Sequence, residues 1–402
     1  MTAEFGQNGE AMFDALLHAS HQCHPEDLPT LVARHAAPVG LYEPVIYLVD
    51  LQQDALVWLR PRGVAGEPPA VQLPVDSGPG GSAFTELEVR AEEQDGSRLW
   101  VTLLDGTERL GVMRLTVASA DDVTVRRARR LASLVALMLV SKRAHSDAYH
   151  RVARLREMSV SAEVQWSLLP PNTFATDAVV VAGMLEPAYE VGGDLFDWAF
   201  DGPILHTALF DAVGHDVSSA VLSALTSGAY RNARRRGLDL PATVAAVDEV
   251  LHEQFAARRL TTGVLARLNT DTGWLEWVLA GHPPPVLIRG HALQQLLECH
   301  PCLPMGVGVS RAVTVGLAQL EPGDRILFYT DGITEARDPQ GRFFGLERLV
   351  DFLVTHDKNG HAAPETLRRL VHALLDHHND RLADDAGLLL VEWRHDPRLA
   401  QP

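Results

Sequence analysis

Residues 190–197 read Glu190-Val191-Gly192-Gly193-Asp194-Leu195-Phe196-Asp197, and residues 209–220 read LFDAVGHDVSSA, with Asp211 directly after the apolar run LHTALF (205–210). Both place an aspartate beside a strand-like run and close to glycine. The two glycines before Asp194 let the backbone bend sharply and approach an ion. The pattern recurs twice: Asp331 follows RILFYT (325–330) and precedes Gly332, and Asp384-Asp385 stand just before LLLVEW (388–393). Strand ends hold side chains at a sheet edge, where carboxylates from separated segments can converge. Hard cations such as Mg2+ and Mn2+ take carboxylates, carbonyls and waters as ligands. Two such ions can activate a water for in-line attack at phosphorus, with no serine, cysteine or histidine nucleophile. Each mark alone has a plainer reading. Asp331-Gly332 alone is a turn, and Asp384-Asp385 alone is a helix cap or loop. On the residues by themselves, a carboxylate metal site and unrelated turns stand even.

Around these marks, strands are expected at 178–184, 205–210, 262–268, 274–279, 325–330 and 387–393. Helices are expected at 218–236, 242–258, 346–355 and 364–377. Antiparallel-type strands with helices grouped between them predict an α+β protein whose C-terminal part is a layered α/β sandwich, not a doubly wound sheet. No glycine-rich dinucleotide loop or Walker loop occurs, so nucleotide binding has no anchor. Arg231, Arg234, Arg235 and Arg236 share one predicted helix and read as a solvated face.

The N-terminal third, residues 1–143, predicts a helix over 10–20, strands at 44–50, 55–59, 99–104 and 111–117, and a long helix over 123–142 opened by Asp121 and Asp122 as caps. The run WVTLLDGTERLGVMRLTV (100–117) resembles a GAF-type sensor domain; an α/β or PAS-like spacer is the alternative. Residues 144–169 read as one helical, coiled-coil-like linker. Val152, Leu155, Ser159, Ala162, Trp166 and Leu169 alternate at three and four residues, an a/d-like seam that predicts a homodimer. The linker ends at Pro170-Pro171, which no helix continues through. The following domain spans 170–394, with a tail at 395–402.

Composition narrows the class further. Fifty-two acidic residues against 35 basic ones leave a net charge of −17, the opposite of a nucleic-acid footprint. Lysine occurs only at Lys142 and Lys358. No apolar run approaches the ~20 residues that span a bilayer, and the start MTAEFGQNGEAMFDALL lacks the form of a signal peptide. These features predict a cytoplasmic protein with no membrane or nucleic-acid partner. Cys299 and Cys302 form a CxxC, but zinc needs about four ligands and no second pair exists, and a redox motif would need a thioredoxin-like context that is not seen; a coincidental spacing is the expected reading.

The C-terminal half resembles the PPM (PP2C-like) phosphatases of the SpoIIE/RsbU branch. The resemblance rests on SLLPP (167–171), EVGGDLFD (190–197), LFDAVGHDVSSA (209–220), LAGHPPPVLIRG (279–290), LPMGVG (303–308), LEPGDRILFYTDGITEARDPQGRFFG (320–345) and DDAGLLLVEW (384–393). It covers 164–394 and implies a PP2C-like α/β/β/α sandwich and a protein serine/threonine phosphatase using two or more Mn2+ or Mg2+ ions. It further implies metal ligands at Asp194, Asp211, the Ala212 carbonyl, Asp331 and Asp384, with Asp211 bridging. The implied substrate is a regulatory phosphoprotein, an anti-sigma-factor antagonist being the leading choice. His282, in a proline-shaped turn, is expected to be structural. The sequence departs from the family at Asp216, where glycine is usual, and at Gly387, where threonine is usual. A catalytically silent regulator that keeps the fold is the alternative; a two-metal nuclease is disfavoured by the charge.

Overall fold

The computed structural model describes residues 2–63, 71–93, 97–189, 192–214, 217–308, 312–378 and 384–394. The chain packs as two compact units, Met1–Glu157 and Met158–Pro402.

The first unit is a six-stranded antiparallel sheet. Its strand order is Gln72–Pro74, Ala55–Trp58, Tyr42–Val49, Glu108–Val117, Ser97–Asp105 and Arg90–Glu93. Alternation along Glu108–Val117 sends side chains to both faces, and both faces are covered. The helices Thr2–Ser20, Leu28–Ala36 and Asp122–Arg143 bury the larger face through Leu16, Val32, Leu131 and Leu139. The helix Gly78–Glu86 sits with Tyr47, Phe84, Trp100 and Val112 on the other. The long helix starts where the sequence predicts. The Asp121 carboxylate accepts the Thr124 amide at 2.9 Å, satisfying one of the open donors at a helix start.

Residues 144–169 do not form the single helix expected from their periodicity. They fold as Asp147–Ala153 and Val160–Leu168, with Arg154 extended between them. Two serines explain the break: the Ser146 hydroxyl accepts the Ala148 amide and the Ser159 hydroxyl the Ala162 amide, so each short helix has its own N-cap. The seam is used inside each unit. Val152 packs on the core of the first unit. In the second, Ala162 is buried and the Trp166 indole donates to the Ala188 carbonyl at 2.8 Å.

The second unit is the predicted four-layer sandwich. A five-stranded sheet runs Gly316–Gln319, Trp274–Ala280, Thr261–Asn269, Ile204–Ala212 and Asp194–Asp201. A six-stranded sheet runs Ala292–Leu296, Val286–Arg289, Arg325–Tyr329, Ala386–Trp393, Val179–Glu186 and Thr173–Ala175. Their inner faces meet through Phe196, Leu209, Val264 and Trp277 on one side and Val181, Phe328, Leu389 and Val391 on the other. The helices Val217–Arg235 and Leu240–Phe255 cover the outer face of the five-stranded sheet, and Gly345–Lys358 and Ala363–His378 cover that of the six-stranded sheet. The strand Asp194–Asp201 was not among the expected ones, because DLFDWAFD mixes acids into both faces. Its outer-facing Asp197 is nevertheless almost wholly buried.

A carboxylate cluster at the mouth of the sandwich

Asp194 opens its strand and lies directly across from Asp211 on the neighbouring antiparallel strand. Residues so paired have Cβ atoms about 5 Å apart, and like charges there repel. Asp211 in turn faces Thr262 on the next strand. Asp331 begins the short helix Asp331–Thr334 at the end of the strand Arg325–Tyr329. Asp384 and Asp385 precede the strand Ala386–Trp393. The two sheets are stitched together here. The Thr330 hydroxyl donates to Asp194 Oδ2 at 2.6 Å and accepts the Gly387 amide at 2.8 Å, while the Gly193 amide donates to Asp385 Oδ2.

Close backbone approach explains the glycines. A Cβ on Gly193 would lie 2.0 Å from the Ala212 carbonyl oxygen, and one on Gly332 would lie 1.7 Å from the Asp385 carbonyl oxygen. Gly387 has a related cause: a Cβ there would come 2.9 Å from Asp194 Oδ2 and 3.1 Å from Leu209 Cδ1. The Thr330 hydroxyl already serves Asp194 from that side. The other departure, Asp216, and its neighbour His215 lie outside the described residues, as does Glu190.

The carboxylates disturb one another strongly. Burial first, then Asp211, Asp385 and Asp384, hold the Asp194 carboxyl well above the ordinary range. Burial, then Asp331 and Asp384, push Asp211 up to about 6, against the Thr262 hydroxyl. Burial pushes Asp385 up to about 7; the Gly193 amide opposes this, and Asp384 and Asp211 add to it. Asp331 is raised by burial, then by Asp384 and Glu335. Among the described residues no arginine or lysine pairs with any of the five, whereas Asp197, Asp324 and Glu365 all have arginine partners. Carboxylates crowded in this way favour binding of a cation, which would offset their burial and repulsion.

The donor set is all oxygen and fits a hard divalent ion. The carboxylates are not closed into a cage: among the described residues no three acidic, histidine or cysteine side chains gather as ligands of one point. Asp194 and Asp385 each turn an oxygen to a protein donor, Thr330 and Gly193 respectively.

The four predicted aspartates thus come together from four segments, with the Ala212 carbonyl against Gly193. Asp385 joins them beside Asp384, the residue of the pair that the resemblance implies as a ligand. The sequence showed the pair, but not that Asp385 would reach the Gly193 amide across the sheets. Asp197, in the same motif as Asp194, is no part of the cluster. It bonds Arg231 Nε and, at 2.8 Å, Arg234 Nη1, while Arg231 also reaches the Leu168 carbonyl. Arg231 and Arg234 are therefore structural anchors instead of the solvated face expected; Arg235 and Arg236 are exposed. His282 is structural, as expected: it is buried, its Nδ1 lies 3.0 Å from the Thr262 hydroxyl, and burial pushes its pKa down to about 3. Cys299 and Cys302 are free thiols, both pushed up by burial.

Residues 202–394 match the family described as Stage II sporulation protein E (SpoIIE). Protein IcfG of Synechocystis sp. is 23% identical over 271 residues, covering 60% of this chain and 42% of IcfG. The phosphoserine phosphatase RsbU of Bacillus subtilis is 22% identical over 245 residues, covering 58% of this chain and 69% of RsbU. A crystal structure of the RsbU and RsbW domains of Rv1364c from Mycobacterium tuberculosis aligns with TM-score 0.49 and 26% identity, over 54% of this chain and 62% of that one. Residues 202–394 thus match a SpoIIE-family domain, and this region is similar to the SpoIIE/RsbU type of PP2C-like phosphatase. The chain spans less than half the length of IcfG and about two thirds of RsbU.

Proposed function

We propose that the second unit is a metal-dependent protein serine/threonine phosphatase. The observation that carries this reading is the Asp194–Asp211 cross-strand pair, set among three further aspartates with no arginine or lysine partner among the described residues. Asp194, Asp211, Asp331 and Asp384, with the Ala212 carbonyl, would hold two or more Mn2+ or Mg2+ ions. Such ions supply Lewis acidity and lower the pKa of water so that it attacks phosphorus at neutral pH. The chain's own part is orientation. Thr330 aims Asp194, Asp385 ties the Gly192–Gly193 bend to the opposite sheet, and the glycines let the ligand-bearing backbones close up.

The proposed substrate is a phosphorylated regulatory protein, an anti-sigma-factor antagonist first among candidates. Support comes from the sequence motifs and from the likeness to RsbU, itself a phosphoserine phosphatase. The first unit, with its resemblance to GAF domains, is proposed as a sensor that controls the second. Among the described residues no helix is long and apolar enough to cross a membrane, which suits the cytoplasmic setting proposed. A homodimer would have to use side chains other than Val152 and Ala162. Val160 and Val164, exposed one turn apart, are available.

Hydrolysis of an aryl phosphate and of a phosphoserine peptide, each with Mn2+ and with chelator, tests the reading. Metal-dependent release of phosphate from both is expected. No turnover with bound Mn2+ would instead identify a silent regulator, and cleavage of single-stranded DNA a nuclease.

A further inference from the structure

Among the described residues, a side chain from another segment holds the turn that follows two of the proposed metal donors. Val213 and Gly214 come directly after Asp211 and Ala212, and the helix Val217–Arg235 begins just beyond. Arg259 lies in the segment that leads into the strand Thr261–Asn269. Its Nη1 donates to the Val213 carbonyl at 3.2 Å, and its Nη2 donates to the Ser218 hydroxyl at 2.6 Å. One guanidinium therefore grips the chain on both sides of residues 215–216. Gly214 makes room for it: φ is +111°, and a Cβ would lie 2.7 Å from Arg259 Nη1. The backbone repeats the connection, since the Val213 amide donates to the Leu260 carbonyl at 3.2 Å.

We propose that Arg259 is a positioning residue for the metal site. It fixes the Val213–Gly214 turn against the start of the helix and so sets the direction of the Ala212 carbonyl and the Asp211 side chain. The planar fork suits this task, because two donors at a fixed angle hold two acceptors at once; a lysine ammonium has no such geometry. Groups that orient a metal donor are commonly worth tenfold or more in metal affinity.

Charge and position make opposite predictions here. A cation near a cation site repels the metal, so if Arg259 acted by charge alone its removal would tighten metal binding. If it acts by holding the turn, removal weakens binding despite the lost repulsion. The inference rests on the metal-site reading proposed above.

The test is Mn2+ titration by calorimetry, with electron paramagnetic resonance of free Mn2+, on the full chain and on Arg259→Ala, Arg259→Lys, Ser218→Ala and, as control, Arg258→Ala. Arg259→Ala is expected to weaken Mn2+ binding about tenfold, with a matching rise in the Mn2+ concentration that half-saturates turnover. Arg259→Lys, which keeps the charge but not the fork, should recover only part of the loss. Ser218→Ala, the mildest change, should show a smaller loss in a protein whose circular dichroism is unaltered. Arg258→Ala should bind as the parent does. Unchanged or tighter binding in Arg259→Ala overturns the positioning role while leaving the metal site standing. A parent chain that binds no Mn2+ overturns both. If Arg259→Ala fails to fold, Ser218→Ala decides: parental affinity there overturns the proposal.

Discussion

Asp194 and Asp211 sit directly opposite each other on adjacent antiparallel strands, both largely buried; burial and then Asp211 hold the Asp194 carboxyl well above its ordinary range, while burial and then Asp331 and Asp384 raise Asp211. Without a cation this pair is a local cost to folding. Cross-strand like charges destabilise by up to ~1 kcal/mol even on accessible sheet faces, and burial adds to that.

The pair therefore makes a two-signed prediction. Asp211→Asn should abolish Mn2+-dependent turnover without altering circular dichroism. In metal-free buffer the same variant should be more stable than the parent, by about 1 kcal/mol. Adding Mn2+ should raise the melting temperature of the parent much more than that of the variant. Near-parental turnover in Asp211→Asn would remove the aspartate from the metal site.

Gly193→Ala and Gly332→Ala should be among the most damaging single-methyl additions in the chain. Each new Cβ would overlap a backbone carbonyl oxygen, of Ala212 and Asp385 respectively, and backbone cannot rotate away as a side chain can. A loss of several kcal/mol, at or beyond the ~1–3 kcal/mol usual for overpacking, is expected in urea unfolding. Gly228→Ala, where a Cβ meets nothing within 4 Å, is the control and should be tolerated.

Asp197 anchors the helix Val217–Arg235 to its sheet through Arg231 and Arg234. Asp197→Ala leaves two guanidinium groups without their shared carboxylate, and removing one partner of a buried pair costs ~3–5 kcal/mol. Arg231 is about a quarter exposed, so about 3 kcal/mol by urea denaturation is expected. A loss below ~0.5 kcal/mol, the scale of ordinary surface changes, would show the network to be ornamental.

His282 gives the fold a pH dependence. Burial lowers its pKa to about 3 in the folded chain, whereas an exposed histidine titrates near 6.5. Between those values the unfolded chain binds the extra proton, so stability rises with pH through that window and is lost as pH falls from about 6.5 toward 3. His206, lowered to about 4 by burial and then by Arg267 and Arg234, acts in the same direction. His282→Gln should flatten the stability profile between pH 6.5 and 4 relative to the parent. Parallel profiles for the two proteins would refute the assignment.

The sequence determined the parts that depend on local pattern. Apolar runs such as LHTALF and RILFYT form strands because alternating or continuous apolar side chains must be buried, and they do so close to the expected limits. Asp121 caps its helix because capping is a contact over three residues. The four marks Asp194, Asp211, Asp331 and Asp384 were legible as a set because each stands at a strand end with glycine or a turn beside it. Tertiary structure alone decided the rest. Whether 144–169 ran as one helix depended on which core each half could reach, and two serine caps split it between the units. Whether Arg231 and Arg234 faced water depended on Asp197, 34 and 37 residues away along the chain. The contacts of Asp385 and Arg259 were silent in sequence because their partners, Gly193 at a separation of 192 residues and Val213 at 46, become neighbours only when the strands pair. Periodicity and caps are contacts within a few residues of chain; metal-site geometry is made by contacts across it, and these are set by the register of the strands.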